Sequence, residues 1–316
     1  MTISIIIPTF NEIKYITDLV QSILNLDKTQ KEIIFVDGGS TDGTFEYLSE
    51  LSKSNSSIKV IKNPDKYVSQ GFNKAFNLSR GKYISLLGAH ANYPKEYFTR
   101  CIEEIETGNC NSAGGFLNQC GKSHSGKAIA FAMSSKFGVG NTEFRTIKKT
   151  MYVDSVAFAV YNRKVFEKVG ILDEELIRNQ DDEFHYRLNK AGFRIKMIHD
   201  LEITYYVRES LTALYKQYYQ YGLYKPLVIK KVSSSVRTRH LIPALFVLYL
   251  FSLPISFFSL FYLIPFVFYF ILICFIFSKA SVPLQSRFYL FLVFPILHFS
   301  YGIGFLNGIS LLWKLK

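Results

Sequence analysis

From Leu241 to Phe277 the chain reads "LIPALFVLYLFSLPISFFSLFYLIPFVFYFILICFIF" and carries no charged residue. A membrane span takes roughly 20 apolar residues, so this run holds two short helices. A second run at 288–313, "FYLFLVFPILHFSYGIGFLNGISLLW", holds a third. Upstream of Leu241 charged and apolar residues mix as they do in a water-facing domain. The division expected is therefore a soluble domain over residues 1–209, a linker with an amphipathic helix over 210–240, and a membrane region over 241–316 with three transmembrane helices.

Orientation follows from the flanks. Lys225, Lys230, Lys231, Arg237, Arg239 and His240 precede the first span, as the positive-inside rule expects of a cytoplasmic side. "MTISIIIPTFNE" lacks a signal peptide's basic start and long apolar run. The expected location is the cytoplasmic membrane, multi-pass, with the soluble domain inside; Lys279 and Arg287 mark a cytoplasmic loop and Lys316 falls outside. The net charge of +12 reads as attraction to membrane lipids, because no nucleic-acid recognition module is present. Four cysteines, one within an apolar span and none in a C-x-x-C spacing, read as reduced.

In the soluble part, "ISIIIP" and "EIIFVD" are short β-branched runs fit for strands buried on both faces. Each leads into a helical pattern: Ile13, Ile16, Val20, Ile23 and Leu24 after the first, Phe45, Leu48 and Leu51 after the second. "IKVIKN", a helix with Val68, Phe72, Ala75 and Phe76, and "GKYISLL" continue the alternation. Strands alternating with helices predict a parallel α/β sheet, and ligands bind beyond the carboxyl ends of such strands. That brings Pro8–Glu12, Asp37–Asp42 and Gly88–His90 to one rim. Beyond residue 100, "GNCNSAGG", "QCGKSHSGK" and "SSKFGVGNTEFR" read as loops. A strand and short helix follow in "MYVDSVAFAVYNRKVFEKVG". In "NQDDEFHYRLNKAGF" a helix opens on Asp181, Asp182 and Glu183, its apolar face formed by Phe184, Leu188 and Ala191. His185 and His199 are expected on a helix surface and at a strand end.

In this order, "IIIPTFNE", "IIFVDGGSTDGT", "VSQGFNKAFNLSRGKYISLLGAHANYP", "SSKFGVGNTEFR", "VDSVAFAVYNRKVFEKVG", "NQDDEFHYRLNKAGF" and "HFSYGIGFLNG" resemble the inverting family 2 glycosyltransferases, and among them the ExoA-like membrane enzymes of succinoglycan biosynthesis. The resemblance implies an α/β GT-A nucleotide-sugar-binding fold with a mostly parallel central sheet, followed by C-terminal transmembrane helices. It implies transfer of a sugar from a nucleotide-sugar donor, a UDP-sugar, to a lipid-linked saccharide in extracellular or capsular polysaccharide assembly, alongside other assembly proteins. Carried over by position, Pro8, Thr9, Asn11 and Glu12 cup the nucleotide, Asp37 accepts a hydrogen bond from the uracil ring, and Ser40 and Asn73 line the nucleotide. Asp181 is the general base that takes the acceptor's proton. It follows Gln180 where the family carries Glu, which removes a like charge; Asp182 and Glu183 are the substitutes. "SLTALYKQYYQYGLYKPLVIKK" matches an interfacial helix near the acceptor.

The departure is at Gly88-Ala89-His90. The family carries Asp-x-Asp at this strand end, and the ExoA-like subgroup often Asp-Ala-His; the first acid helps to hold ribose and donor sugar and the last residue ligates a divalent cation. Gly88 keeps the place without the carboxylate. For His90 three readings stand: metal ligand, direct phosphate contact, or structural residue. As a ligand, imidazole suits Mn²⁺ better than Mg²⁺. Two alternatives to the transferase reading are a catalytically silent nucleotide-sugar-binding or partner-binding relative, and a polyprenyl-phosphate sugar synthase.

Overall fold

The computed structural model describes residues 2–26 and 29–314; Lys316 lies outside them. In chain order the elements are β1 (Ile3–Thr9), α1 (Ile13–Asn25), β2 (Lys31–Asp37), α2 (Thr44–Ser54), β3 (Ile58–Lys62), α3 (Val68–Leu78), β4 (Tyr83–Leu86), β5 (Ala91–Asn92), α4 (Tyr97–Glu106) and β6 (Ser112–Cys120). Then come α5 (His124–Met133), α6 (Lys136–Val139), α7 (Glu143–Thr146), β7 (Met151–Val153), β8 (Val160–Asn162), α8 (Lys164–Val169), α9 (Gln180–Lys190) and β9 (Ile195–Tyr206). The remainder is helical: α10 (Leu211–Lys231), α11 (Thr238–Phe251), α12 (Ile264–Lys279) and α13 (Leu284–Lys314). The chain divides into two compact units, Met1–Asn118 with Ile147–Tyr205, and Gln119–Thr146 with Tyr206–Lys316.

The first unit is built on one sheet of order β3-β2-β1-β4-β8-β6-β9-β5, with β7 also paired to β9. The first four strands in that order are parallel; β8 runs antiparallel to both β4 and β6, and β5 and β7 run antiparallel to β9. The fold is therefore α/β with a parallel half, as the strand–helix alternation predicts, and a mixed extension. Ile3, Ile5, Ile6 and Ile7 of β1 are wholly buried, which is why this strand is apolar without alternation. Chain connections leave β1 toward β2 and β3 on one side and return to β4 on the other, so a topological switch point lies at its carboxyl end.

Two expected loops take other forms. Residues 112–120 form strand β6, although "NSAGG" reads as a turn. A Cβ at Gly115 would collide with the Leu201 carbonyl, and one at Gly114 would lie 3.0 Å from both methyls of Val156. The glycines mark close approach to neighbouring chain. The "SSKFGVGNTEFR" segment forms α6 and α7 in the second unit, where the Phe137 ring lies 4.9 Å from Phe294 and 5.5 Å from Tyr269.

In that second unit α10 packs along α13. A side chain at Gly222 would strike the Tyr301 carbonyl, one at Gly304 the Tyr219 carbonyl, and one at Gly308 the Leu223 carbonyl. This is the small-residue packing that lets helix backbones touch. Among the described residues two stretches are long and apolar enough to cross a membrane, Leu260–Lys279 and Leu284–Leu312. Only 6% of the most apolar part of the first is buried, so it presents apolar side chains all round, as a lipid-facing helix does. The 14-residue α11 rises about 21 Å, short of the roughly 30 Å hydrocarbon layer.

Candidate functional site

The carboxyl ends of β1 and β2 continue into two loops that brace each other. Thr9 pairs with Asp37 in the strand register, and the Gly38 N–H donates to the Thr9 carbonyl at 2.9 Å. Beyond this the Asn11 N–H donates to Ser40 Oγ (2.9 Å), the Thr41 N–H to Asn11 Oδ1 (2.9 Å), the Glu12 N–H to Thr44 Oγ1 (2.9 Å) and the Ile13 N–H to Asp42 Oδ2 (3.0 Å). Thr44 Oγ1 donates in turn to Asp42 Oδ1 at 2.6 Å. Desolvation opposes ionisation of Asp42, but the hydrogen bonds from Thr44 and Ile13 outweigh it and hold this carboxyl below its ordinary value. Asn11 sits at φ +56°, a left-handed conformation that asparagine tolerates. Asn11, Glu12 and Ser40 are thus fixed parts of one double loop that begins where Pro8 and Thr9 end β1.

Asp37 closes β2 and is 2% exposed. Its Oδ2 accepts the Gly39 and Ser40 N–H groups at 2.9 and 3.0 Å, so the carboxylate cannot rotate. Its Oδ1 is buried and has no hydrogen-bond partner among the described residues. A buried carboxylate oxygen left without a donor is costly and calls for a ligand.

Across the switch point, His90 Nε2 lies 2.9 Å from Glu12 Oε1, and the Tyr15 ring stands edge-on to the imidazole at 5.6 Å. Glu12 Oε2 is buried without a partner among the described residues. The Gly88 N–H donates to Tyr93 Oη at 3.0 Å. Phe158, at φ +56°, places its ring against the Gly88 Cα. Tyr97 Oη donates to the Phe158 carbonyl at 2.7 Å and Tyr93 meets the ring edge-on. A bulky residue in the left-handed region is a true outlier, held only because its surroundings over-determine it.

Asp181 lies exposed in the first turn of α9, where the helix dipole favours a carboxylate. Asn179, at φ +62°, starts the helix, and Gln180 Oε1 is buried without a partner among the described residues. Glu183 is 2% exposed and held by Arg187, Nε to Oε1 at 2.6 Å and Nη2 to Oε2 at 2.9 Å. That ion pair removes Glu183 as a substitute base.

His185 corrects its expectation: it is buried, not on the helix surface. Its ring nitrogens meet Ser155 Oγ at 2.9 Å and Tyr161 Oη at 2.7 Å. Desolvation pushes it down to about 4, against the opposing pull of Asp182. His199 lies within β9, edge-on to Phe116. Asn73 is buried under the 172–174 turn: its Nδ2 donates to the Leu172 carbonyl (2.9 Å) and Glu174 Oε1 (2.8 Å), and its Oδ1 accepts the Leu172 N–H (3.1 Å). The structure gives this amide a bracing role.

The structure thus brings together Asn11 with Ser40, Ser40 with Asp37, and Glu12 with His90. Sequence reasoning missed Thr44, which anchors the Glu12 backbone, and Phe158, which packs on Gly88. The repeated Asp and Thr of "DGGSTDGT" hinted at the first; nothing local marks the second.

Comparison with known proteins bears on the family of the chain. Residues 4–170 match the family model described as Glycosyl transferase family 2. The chain is 34% identical over 221 residues to the succinoglycan biosynthesis protein ExoA of Rhizobium meliloti (strain 1021), covering 69% of this chain and 67% of that protein. It is 32% identical over 239 residues to a dolichyl N-acetyl-alpha-D-glucosaminyl phosphate 3-beta-D-2,3-diacetamido-2,3-dideoxy-beta-D-glucuronosyltransferase of Methanococcus voltae, covering 72% and 74%. In fold it is similar to a mannosyltransferase from Pyrobaculum calidifontis solved with GDP-Man and Mn²⁺, with TM-score 0.61, 14% identity and coverage of 99% and 88%. The strand-end loops, the family model and the two relatives point one way: this chain belongs to glycosyltransferase family 2.

Proposed function

We propose that the protein transfers a sugar, with inversion, from a UDP-sugar to a lipid-linked saccharide at the cytoplasmic face of a membrane, in the assembly of an extracellular or capsular polysaccharide. The observation that carries this reading is the open oxygen of Asp37. With Oδ2 already accepting two backbone N–H groups, one buried oxygen is left for one donor. The uracil ring N–H is a donor that such a carboxylate oxygen accepts. Pro8 and Thr9 at the end of β1, and Asn11, Glu12 and Ser40 in the loops beyond, are the proposed nucleotide contacts at that rim, while Asn73 braces the 172–174 turn. Relatives named for succinoglycan synthesis and for transfer to a dolichyl-linked sugar phosphate support the acceptor class. The apolar α12 and α13, with Lys279 and Arg287 flanking their turn, support membrane anchoring and a cytoplasmic loop.

In the chemistry proposed, Asp181 removes the acceptor hydroxyl's proton as that oxygen attacks opposite the leaving diphosphate. Glu12 and His90 fit a divalent cation: one carboxylate oxygen is buried and unpartnered, and the mixed oxygen and nitrogen donors suit Mn²⁺ better than Mg²⁺. Such an ion, when bound, neutralises charge on the departing diphosphate. Gly88 is the observation that favours a second reading, a relative that binds nucleotide-sugars without transfer. Membranes containing the protein, incubated with a panel of nucleotide-sugars with and without Mn²⁺, test the two. UDP release that depends on acceptor lipid supports transfer to saccharide; binding without release supports the second reading. Release with bare polyprenyl phosphate alone would make the protein a polyprenyl-phosphate sugar synthase.

A further inference from the structure

We infer that Glu12 is a cation ligand, and that Glu12 with His90 replaces the strand-end acid that Gly88 lacks. This rests on the nucleotide-sugar reading above and concerns which residues of this chain face the cation.

A carboxylate at position 88 is absent, and one would enter only if Phe158 moved. The first carbon of any side chain there would lie 2.7 Å from Phe158 Cε1 and 3.0 Å from Cζ. The Phe158 ring occupies that space with Tyr93 packed edge-on against it. Negative charge near His90 must come from another strand, and Glu12 brings it from the end of β1.

Three features suit Glu12 to this. Its backbone is anchored through Thr44 to Asp42, so the side chain starts from a fixed point. Its Oε1 stands 2.9 Å from His90 Nε2, so the two donor atoms that would hold the ion stand side by side. Its Oε2 is buried with no donor among the described residues, a state that a cation relieves. Tyr15 limits rotation of the imidazole. Among the described residues no group of three His, Cys, Asp or Glu side chains could hold a metal, so the two-residue site needs oxygens of a nucleoside diphosphate and water to complete it. Metal and nucleotide should therefore bind together.

The test is Mn²⁺ binding to the full chain in detergent, read by the electron paramagnetic resonance of free Mn²⁺, with and without UDP. UDP binding in excess chelator is measured separately by calorimetry. The expected result is Mn²⁺ binding that UDP strengthens, that weakens at least tenfold in Glu12→Gln, and that is lost in Glu12→Gln/His90→Ala. Glu12→Asp, which keeps the charge at shorter reach, should recover part of the affinity, and each variant's melting temperature reports whether it folds. Unchanged Mn²⁺ affinity in a folded Glu12→Gln protein would overturn the ligand role and leave Glu12 as a hydrogen-bond partner of His90. No Mn²⁺ binding to the wild type with UDP present would also overturn it. Failure to bind UDP in calorimetry both in chelator and with Mn²⁺ present would instead count against the nucleotide-sugar reading itself.

Discussion

The Phe158 ring lies against the Cα of Gly88, in the space where a side chain at that position would begin. Seventy residues separate the two in sequence, yet each determines what the other can be. Gly88→Asp alone should therefore fail to rebuild a two-acid site. Overpacking of this kind costs about 1–3 kcal/mol, so the variant should melt lower than wild type with no gain in Mn²⁺ affinity. In a Phe158→Ala background Gly88→Asp should cost less stability than it does in the wild type, because the ring it displaces is gone. Equal melting temperatures for wild type and Gly88→Asp would show that the ring yields freely.

Asp37→Asn keeps the shape of the site and replaces a charged acceptor by an amide. Hydrogen bonds to charged groups contribute about 1.5–3 kcal/mol, so UDP affinity should fall roughly tenfold to a hundredfold. GDP serves as the comparison, and on the uracil reading its affinity should change less. Calorimetric titration of both nucleotides in chelator checks the contrast.

Asp181→Asn should lower turnover by about 10²- to 10⁴-fold, the usual worth of a positioned base, with UDP binding kept. Glu183→Gln is expected to act on the fold, because it leaves Arg187 short of its buried partner; breaking such a pair costs about 3–5 kcal/mol. Normal turnover in Asp181→Asn would move the base to Asp182.

Acid should destabilise the first unit through His185. In the unfolded chain this imidazole takes up a proton near pH 6.5, while in the folded protein burial holds it neutral down to about 4. The native state thus binds fewer protons, and stability falls as pH drops between those values, by up to about 3 kcal/mol. The Asp182 carboxylate works in the opposite direction, favouring the protonated ring. Thermal melts of His185→Asn between pH 7 and 4 should show a shallower decline than wild type.

Much of this protein is legible in the linear chain. β1 and β2 are read from runs of β-branched residues because both faces of these strands are buried, and α12 from apolar residues on every side because so little of it is covered. The rim of Thr9, Asp37 and Gly88 follows from strand order alone, since parallel strands end together. Other features escape such reasoning. Four successive residues of α9, Glu183 to Tyr186, are buried, so its surroundings cover more than the one face that periodicity assumes, and His185 is hidden. β6 was obscured because its glycines admit neighbouring backbone, a cause that lies in other strands. The contacts of Glu12 with His90 and of Gly88 with Phe158 join residues far apart in sequence. Local propensity and spacing carry no term for such pairs; the sheet topology that brings β1, β4 and the turn before β8 together creates them.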